Sequence, residues 1–320
     1  MKVTLREPTY EDSAQIARVM QDPQALGWLS ALPAPDAHQG AIDFHARAAM
    51  ATDMCIAVDG KFAGLIRDGA DLGYWIAPEY RGRGLATIAG RIAIIRHFAQ
   101  SRVPINAWHF IGHEPGRRVL LRLGFRDFSQ TMMDWQGGRA LPAQVMRLSA
   151  EDFTAALEIA TPRCRIRPMR DDDLAMLHRI ATRPEVARML LRFAPGQSLA
   201  ESEAIFRPAM DPLTRPQRMV IWHQGGVAGS IGVSGGDLPS VFYFIAPELA
   251  GQGLASEVVP AFCEAVQGWF ALPEITAEAF ADNPASIRVL EKSGFHRLET
   301  RMMPSAGRPA PAPGLVMLRS

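Results

Sequence analysis

The stretch YWIAPEYRGRGLATIAG, residues 74–90, places two glycines between a strand-like apolar run and a helix-like pattern. The apolar run stops at Pro78, and Gly82 and Gly84 stand on either side of Arg83. Glycine supplies unusual dihedrals, so a simple turn explains one of them. Two glycines at a helix start favour a second interpretation, in which unpaired N–H groups and the positive helix dipole face an anion. We expect a phosphate-bearing ligand at this loop.

The second half of the chain repeats the pattern in YFIAPELAGQGLAS, which begins at Tyr243. Other landmarks match in the same order, since Leu5 corresponds to Ile166, and Gly124 in VLLRLGF corresponds to Gly294 in VLEKSGF. The offset drifts from 161 to 170 residues, which is typical of a duplication with small loop insertions. Two repeats of this size predict two domains rather than a solenoid.

The boundary between the repeats lies in a short stretch after a predicted final strand. We predict a first domain at 1–149, a linker at 150–163 and a second domain at 164–320. Within this stretch, SAEDFTAALEIATP has the pattern of a short capped helix that ends before Pro162.

Within one repeat, short apolar runs alternate with helical patterns. The pair Asp59-Gly60 between two apolar runs is a strong hairpin signal. The helix after the glycine loop is expected to place Leu85, Ile88 and Ile92 on one buried face. Strands are expected at 3–6, 54–58, 62–66, 72–77, 103–109 and 125–133, with further helices near 9–20, 42–50 and 115–123. The pattern predicts an α+β fold, with helices on a mixed, mostly antiparallel sheet.

Composition excludes several classes of function. Among 320 residues, 34 Lys and Arg balance 33 Asp and Glu, and a net charge of +1 argues against a general nucleic-acid or membrane-surface binder. The three cysteines, Cys55, Cys164 and Cys263, are far apart and predict neither a disulfide framework nor a CxxC site. No signal peptide opens the chain and no apolar run could span a bilayer, so we expect a cytoplasmic protein. No metal site is expected.

Two common phosphate-binding motifs do not fit the loop. The P-loop pattern GxxxxGK[ST] does not occur. A dinucleotide-binding GxGxxG would need glycine where Thr87 and Ser256 stand, and a hairpin, not a parallel βαβ unit, precedes the loop.

The run RGRGLA, residues 81–86, resembles the R/Q-x-x-G-x-G/A signature of the GNAT N-acetyltransferase superfamily. GQGLASE (251–257) and NPASIRVLEKSGF (283–295) make repeat two similar to the branch that includes ribosomal-protein N-terminal acetyltransferases. The resemblance covers nearly the whole chain and implies two tandem GNAT-like domains that use acetyl-CoA.

The resemblance implies that loop amides hold the pyrophosphate and that the preceding strand separates from its neighbour to admit the pantetheine arm. Ala250 stands where repeat one has Arg81, so we expect weaker binding in repeat two. The implied cofactor-binding residues are Ile76, Arg81, Gly82, Arg83, Gly84, Leu85 and Ala86 in repeat one, and Ile245, Gly251, Gln252, Gly253, Leu254, Ala255, Asn283 and Ser286 in repeat two.

Acetyl transfer needs a proton acceptor for the amine and a proton donor for the leaving thiolate. In repeat two we predict Ser286 as the donor and Glu278, on ITAEAF, as a possible base. Two alternatives stay open: Ser286 caps a helix, and Glu278 is a solvated strand residue. Leu290 and Leu120 occupy the position where many members of the family have a tyrosine acid.

Repeat one departs from this pattern. His113 and Gly116 stand in the places of Asn283 and Ser286, so it lacks the N-x-x-S pair. Trp108 replaces Glu278, and a base at the neighbouring His109 or at His113 stays open.

The sequence therefore predicts an acetyl-CoA-dependent N-acetyltransferase for a primary amine of a small molecule, peptide or protein N-terminus. The alternative is a non-catalytic acyl-CoA-binding sensor or scaffold with degenerate GNAT domains. The resemblance implies that the acceptor pocket of each repeat comes from variable helices near its start, around 22–50 and 183–215. We expect the chain to be a monomer with an internal pseudo-dimer or a homodimer. We expect no nucleic-acid or membrane partner.

Overall fold

The computed structural model describes residues 3–9, 11–12, 15–16, 53–135 and 139–320. The chain divides into two compact units, one of residues 1–156 with 268–271 and one of residues 157–267 with 272–320. The stretch expected to be a linker divides between them, because a helix covers Ala150–Ala156 and a short strand covers Ile159–Ala160. The predicted helices near 9–20 and 42–50 lie largely or wholly outside the described residues.

Unit one contains repeat one. Its elements are β1 (Val3–Arg6), β2 (Asp53–Val58), β3 (Lys61–Arg67), β4 (Tyr74–Ile76), α1 (Leu85–Gln100), β5 (Ile105–Phe110), α2 (Glu114–Arg122), β6 (Arg126–Trp135), β7 (Arg139–Leu148) and α3 (Ala150–Ala156). Strands β1 to β4 pair antiparallel in chain order, and β5, β7 and β6 form a three-stranded antiparallel sheet.

Local patterns explain most of these elements. The turn between β2 and β3 is confirmed, since Asp59 and Gly60 have φ values of 48° and 81°, as a two-residue hairpin requires. In α1 the side chains of Leu85 and Ile92 are buried as predicted. The prediction for Ile88 was wrong, because this residue lies in the first turn beside the exposed loop and stays 40% exposed.

Unit two contains repeat two. Its elements are β8 (Ile159–Ala160), β9 (Cys164–Pro168), α4 (Asp171–Ala181), α5 (Pro184–Ala187), α6 (Leu199–Phe206), β10 (Gln217–His223), β11 (Gly226–Val233), β12 (Ser240–Ile245), α7 (Leu254–Trp269), β13 (Ile275–Phe280), α8 (Pro284–Lys292), β14 (His296–Met303) and β15 (Ala312–Arg319). They form one eight-stranded sheet in the order β14-β15-β13-β12-β11-β10-β9-β8. Only β12 and β13 pair in parallel.

The two faces of this sheet have different roles. Phe244 on β12 packs with α4 and α6 in a core that also contains Leu177 and Phe206. Because side chains alternate along a strand, Tyr243 points to the opposite face, where its hydroxyl contacts α8. We call the first the α4/α6 face and the second the α8 face.

The cysteines are buried and free, as expected for small core residues. Burial raises the pKa of Cys263 to about 12, so its thiol stays protonated and unreactive near neutral pH.

Candidate functional site

The glycine loops precede α1 and α7. Gly82 and Gly84 have φ values of 76° and 76°, and Gly251 and Gly253 have 77° and 79°. Such left-handed conformations strain residues that carry a Cβ atom, which explains why both loops contain two glycines.

Open space lies beside these glycines. A Cβ atom added to Gly82, Gly84 or Gly251 would meet nothing within 4 Å. No side chain caps the start of α1, so its first N–H groups are available. Both features fit an anion that approaches the backbone closely.

The other loop residues contribute mainly backbone. Leu85 and Leu254 are buried in the cores, so only their amides can face a ligand. The Gln252 side chain donates to the Glu248 carbonyl oxygen, and Arg83 lies over the Tyr80 ring. Ala86 and Ala255 are the second residues of α1 and α7.

In unit two a gap opens between the parallel strands β12 and β13. They pair only at Ser240 with Thr276 and at Val241 with Ala277. Beyond this point Ala246 N still donates to Ala228 O on the other side of β12. Since alternate residues of a strand address opposite neighbours, the backbone groups of Tyr243 and Ile245 face the gap.

Unit one has the corresponding gap between β4 and β5. Asn106 bonds to the chain before β4 through Leu72 N and Ala70 O, and no ladder joins β4 itself to β5 in the described residues. The carbonyl oxygen of Ile76 accepts a hydrogen bond of 3.0 Å from Arg81 Nε. The predicted loop arginine therefore fixes the end of the strand that borders the gap.

Unit two places a different arginine at its loop. Arg163 Nη1 donates to the Gln252 carbonyl oxygen at 2.9 Å, and Nη2 lies 3.6 Å from the position of a Cβ atom on Gly253. This guanidinium comes from the residue before β9, not from the loop sequence, where Ala250 stands.

Glu257 in the first turn of α7 holds Arg163 in place. Its carboxylate accepts hydrogen bonds from Arg163 Nε at 2.8 Å, from Arg163 N at 2.8 Å and from Thr161 Oγ1 at 2.6 Å. Burial alone would raise the pKa of Glu257, but the bonds from Thr161 and Arg163 outweigh it and lower this pKa to about 2.

The N-x-x-S pair of repeat two lies at the start of α8. The Asn283 side chain accepts from Ser286 N at 3.1 Å and caps the helix. The alternative in which Ser286 is the cap was therefore wrong, because α8 begins two residues earlier, at Pro284. The Ser286 hydroxyl instead lies 2.9 Å from the Tyr243 hydroxyl.

The pair of Tyr243 and Ser286 joins β12 to α8 beside the gap. Burial raises the pKa of Tyr243 to about 12, although the hydrogen bond to Ser286 opposes the rise. The phenol therefore keeps its proton at neutral pH and can act as a donor. Leu290, at the usual tyrosine position, is fully buried in the core.

Glu278 lies on the other face of the sheet. It follows Ala277, the last residue of β13 paired with β12, so by alternation it shares the α4/α6 face with Phe242. Its carboxylate forms an ion pair with Arg301 on β14. Glu278 and Ser286, the two predicted catalytic residues, thus lie on opposite faces of the sheet, and the Glu278 ion pair forms on the side of β13 away from the gap.

Unit one carries different side chains at these positions. A Cβ atom on Gly116 would lie 2.5 Å from His113 Nδ1, so the His113 ring occupies the space that a serine would need. His109 is 7% exposed, and its Nδ1 lies 3.0 Å from the Phe110 carbonyl oxygen, which makes Nδ1 the donor. Its Nε2 is buried without a partner. Burial lowers the pKa of His113, and the electrostatic effect of His109 lowers it further.

Sequence reasoning missed Arg163, Glu257 and Tyr243. Tyr243 begins the repeated strand motif and had a visible counterpart in Tyr74, but no local signal placed it beside Ser286. Arg163 and Glu257 are 94 residues apart, and only the fold brings them together.

The described residues contain no cluster of three or more His, Cys, Asp or Glu that could hold a metal ion. In the same part of the chain, no helix has the length and apolarity needed to cross a membrane.

Three solved structures each align with about half of this chain. An acetyltransferase of the GNAT family from Bacillus anthracis is 17% identical, with 51% of this chain and 97% of that chain covered and a TM-score of 0.44. A ribosomal L7/L12 alpha-N-protein acetyltransferase in complex with CoA is 15% identical, with 51% and 97% covered and a TM-score of 0.45. The spermidine N-acetyltransferase from Vibrio cholerae, in complex with CoA and spermine, is 17% identical, with 49% and 94% covered and a TM-score of 0.44.

No curated protein sequence matches the chain at a significant level. A family model described as the acetyltransferase (GNAT) domain matches twice, at residues 2–126 and 163–296. The two matches cover most of the chain and coincide with the two repeats, which confirms the resemblance to the GNAT family and the α+β fold class. They also support acetyl-CoA as the acyl donor. The chain belongs to the GNAT acetyltransferase family and carries two copies of its domain.

Proposed function

We propose that the chain is an acetyl-CoA-dependent N-acetyltransferase whose catalytic centre lies in repeat two. The acceptor is a primary amine of a small molecule, a peptide or a protein N-terminus. The observation that carries the proposal is the hydroxyl pair of Tyr243 and Ser286, 2.9 Å apart beside the gap between β12 and β13. Repeat one has Gly116 where this pair needs a hydroxyl.

Binding in repeat two would combine the loop amides of 250–255 with Arg163. Two negative phosphates at the start of α7 would meet the positive end of the helix dipole. Arg163 adds a guanidinium on the same loop and so compensates for Ala250. Repeat two should therefore bind acetyl-CoA without the weakening expected from Ala250, because Arg163 supplies the missing positive charge.

Acetyl-CoA supplies an activated thioester, and the chain's own groups manage protons around it. Backbone groups of Tyr243 and Ile245 that face the gap are placed to orient an acyl arm. When the amine nitrogen bonds to the acetyl carbon and the carbon–sulfur bond breaks, the sulfur needs a proton. Ser286 donates it, and Tyr243, which is protonated at neutral pH, resupplies the serine through their hydrogen bond.

Glu278 is the proposed acceptor of the amine proton. It borders the gap from the α4/α6 face, opposite Ser286, so that the incoming amine and the leaving sulfur have separate proton partners. The ion pair with Arg301 orients its carboxylate. A water held by this carboxylate serves equally well as the immediate base.

The non-catalytic alternative, a sensor or scaffold, is not favoured, because the family is one of acetyltransferases. Amine-dependent release of CoA thiol from acetyl-CoA tests the proposal directly. Turnover with any primary amine excludes the sensor. Failure of the purified chain to bind acetyl-CoA in a calorimetric titration would refute the acetyltransferase proposal altogether.

A further inference from the structure

Arg218 on β10 is a buried cation that the proposed mechanism does not use. Arg218 is only 8% exposed. Its side chain lies on the α4/α6 face, as does that of Val220, two positions along the strand. Nη1 donates to Ser230 Oγ at 3.1 Å, whereas Nε is buried without a partner. A guanidinium has five donors in a planar fork, so most of this fork is unused by the described residues.

Among the described residues, no carboxylate forms an ion pair with Arg218. The one charged group that acts on its pKa there is another cation, Arg192. Burial lowers the pKa of Arg218 to about 9, and the positive charge of Arg192 contributes less to this shift. Arg218 therefore remains charged at neutral pH. Burying a charge without a counter-ion is costly, and such groups normally have a paired anion.

Aromatic rings offset only part of this cost. The guanidinium lies 4.4 Å from the ring centre of Phe242, 5.3 Å from that of Phe206 and 5.9 Å from that of Phe193. Cation–π contacts are weaker than a desolvated ion pair, and they leave the in-plane N–H groups unsatisfied. Phe193 and Phe206 come from the stretch 183–215, where the resemblance to the GNAT family implies an acceptor pocket.

The sheet register explains how Arg218 contacts Phe242 on β12. Arg218 pairs with Gly232, and Gly232 pairs with Phe242, so the three form one row across the sheet. Gly232 has no side chain, and the Phe242 ring lies over it, so the ring meets the Arg218 guanidinium there. The residue next to Phe242 across the gap, one step beyond the last pair, is Glu278.

This row puts a cation and an anion on one face of the sheet, with the gap beside the anion. Strands lie about 5 Å apart, so the backbones of Arg218 on β10 and Glu278 on β13 are three strand spacings, roughly 15 Å, apart. The long Arg218 side chain, which reaches the Phe242 ring, shortens this distance. An acceptor with an ammonium group near Glu278 and an anionic group near Arg218 would match both charges.

We propose that the acceptor of repeat two carries a carboxylate several bonds away from its reactive amine, and that Arg218 binds this carboxylate. The inference rests on the proposed function of repeat two and names the acceptor class: an ω-amino acid, or an amino acid acetylated on its side-chain amine. Arg218 is then a specificity-determining residue.

The test compares two acceptors of matched length, 6-aminohexanoate and hexylamine, which differ in the carboxylate. In the wild-type chain we expect kcat/KM for 6-aminohexanoate to exceed that for hexylamine at least 10-fold. Arg218→Met should reduce this preference at least 10-fold, and Arg218→Lys should retain part of it. The exposed Arg179→Met on α4 serves as the control and should change nothing.

Binding measurements keep the two proposals apart. Every variant is first titrated with acetyl-CoA, whose affinity should stay within about 2-fold of wild type if Arg218 acts on the acceptor alone. Normal acetyl-CoA binding together with no preference for the carboxylate would overturn this inference and leave the acetyltransferase intact. If the wild-type chain does not bind acetyl-CoA at all, the proposed function itself is refuted.

A measurement on the wild type covers the case in which Arg218 variants do not fold. Hexanoate should compete with 6-aminohexanoate in the thiol-release assay, whereas hexanol should not. Equal inhibition by both, or by neither, would overturn the inference. So would acetylation of hexylamine at the same kcat/KM as 6-aminohexanoate.

Discussion

Tyr243 and Ser286, 43 residues apart in the chain, hold their hydroxyl oxygens 2.9 Å apart across the end of the gap between β12 and β13. This contact links β12, which borders the gap, to α8, whose first residues follow Asn283 of the N-x-x-S motif. The family's usual tyrosine position holds Leu290, so the phenol reaches the site from a strand instead of from α8.

Replacing Ser286 by alanine should lower kcat about 100-fold, in line with the loss of a general acid. The affinity for acetyl-CoA should stay nearly unchanged, since the Asn283 cap of α8 accepts from a backbone N–H. Tyr243→Phe should give a smaller loss, because Ser286 keeps its own proton but loses the group that resupplies it. The measurement is thiol release under saturating acetyl-CoA.

The matched control is Tyr74→Phe in repeat one, whose hydroxyl lies 3.4 Å from the Gly116 carbonyl oxygen. It should leave turnover unchanged. Equal activity of Ser286→Ala and wild type would contradict a proton-donating role for the hydroxyl pair.

Gly253→Glu should weaken acetyl-CoA binding in repeat two about 100-fold, because a carboxylate would stand against the phosphates at the start of α7. Gly84→Glu should do the same in repeat one. Calorimetric titration that counts sites per chain is the measurement, and two sites should fall to one in either variant.

Two other glycines control for backbone strain. Gly236 and Gly60 have φ values of 85° and 81°, and a Cβ atom on either would meet nothing within 4 Å. Glutamate at these positions adds the same charge and strain away from the loops, so both variants should keep every site. An unchanged site count in Gly253→Glu would show that the repeat-two loop does not bind acetyl-CoA.

Arg163→Met should weaken acetyl-CoA binding in repeat two about 10-fold, the loss of roughly one charge-assisted hydrogen bond. The effect should vanish with acetyl-pantetheine, which lacks the pyrophosphate. Arg165→Met removes a nearby, more exposed arginine and should have no effect. A similar loss for both ligands would place the role of Arg163 in folding instead of in phosphate binding.

The stability of unit two should depend on pH through Glu257. Its folded-state pKa of about 2 lies below its ordinary 4.5, so its stabilising contribution is present above about pH 4.5 and is lost as the pH falls towards 2. Glu257→Gln should therefore lower the free energy of unfolding by about 1 kcal/mol at pH 7, allowing for the half-exposed Arg163, and by little near pH 2.

Urea unfolding of the wild type and the variant at pH 7, 5 and 3 measures this difference. Glu158→Gln, which removes a carboxylate 3.8 Å from Arg165, is the control and should show no such trend. A difference between wild type and Glu257→Gln that stays constant from pH 7 to pH 3 would rule out the ion pair as its source.

Much of the fold could be predicted from short patterns. The Asp59-Gly60 turn and the alternation of apolar runs are local signals. They depend on the backbone dihedrals of a few residues and on the burial of apolar side chains at regular spacing. The helix that follows each glycine loop was also predictable, and only the exposure of Ile88 departed from its periodicity. Ser286 was expected near the thiol, but its partner was not, because the partner is a strand residue on the far side of a gap.

By itself, the sequence determined the duplication, the α+β class and the two loops where glycines present a helix start, because these depend on dihedral preference and periodicity within a few neighbouring residues. The tertiary structure alone decided which side chains meet: Tyr243 with Ser286, Arg163 with Glu257, and Arg218 with Phe242. Strand register and the gap between parallel strands set these contacts, and both arise from packing across the whole sheet.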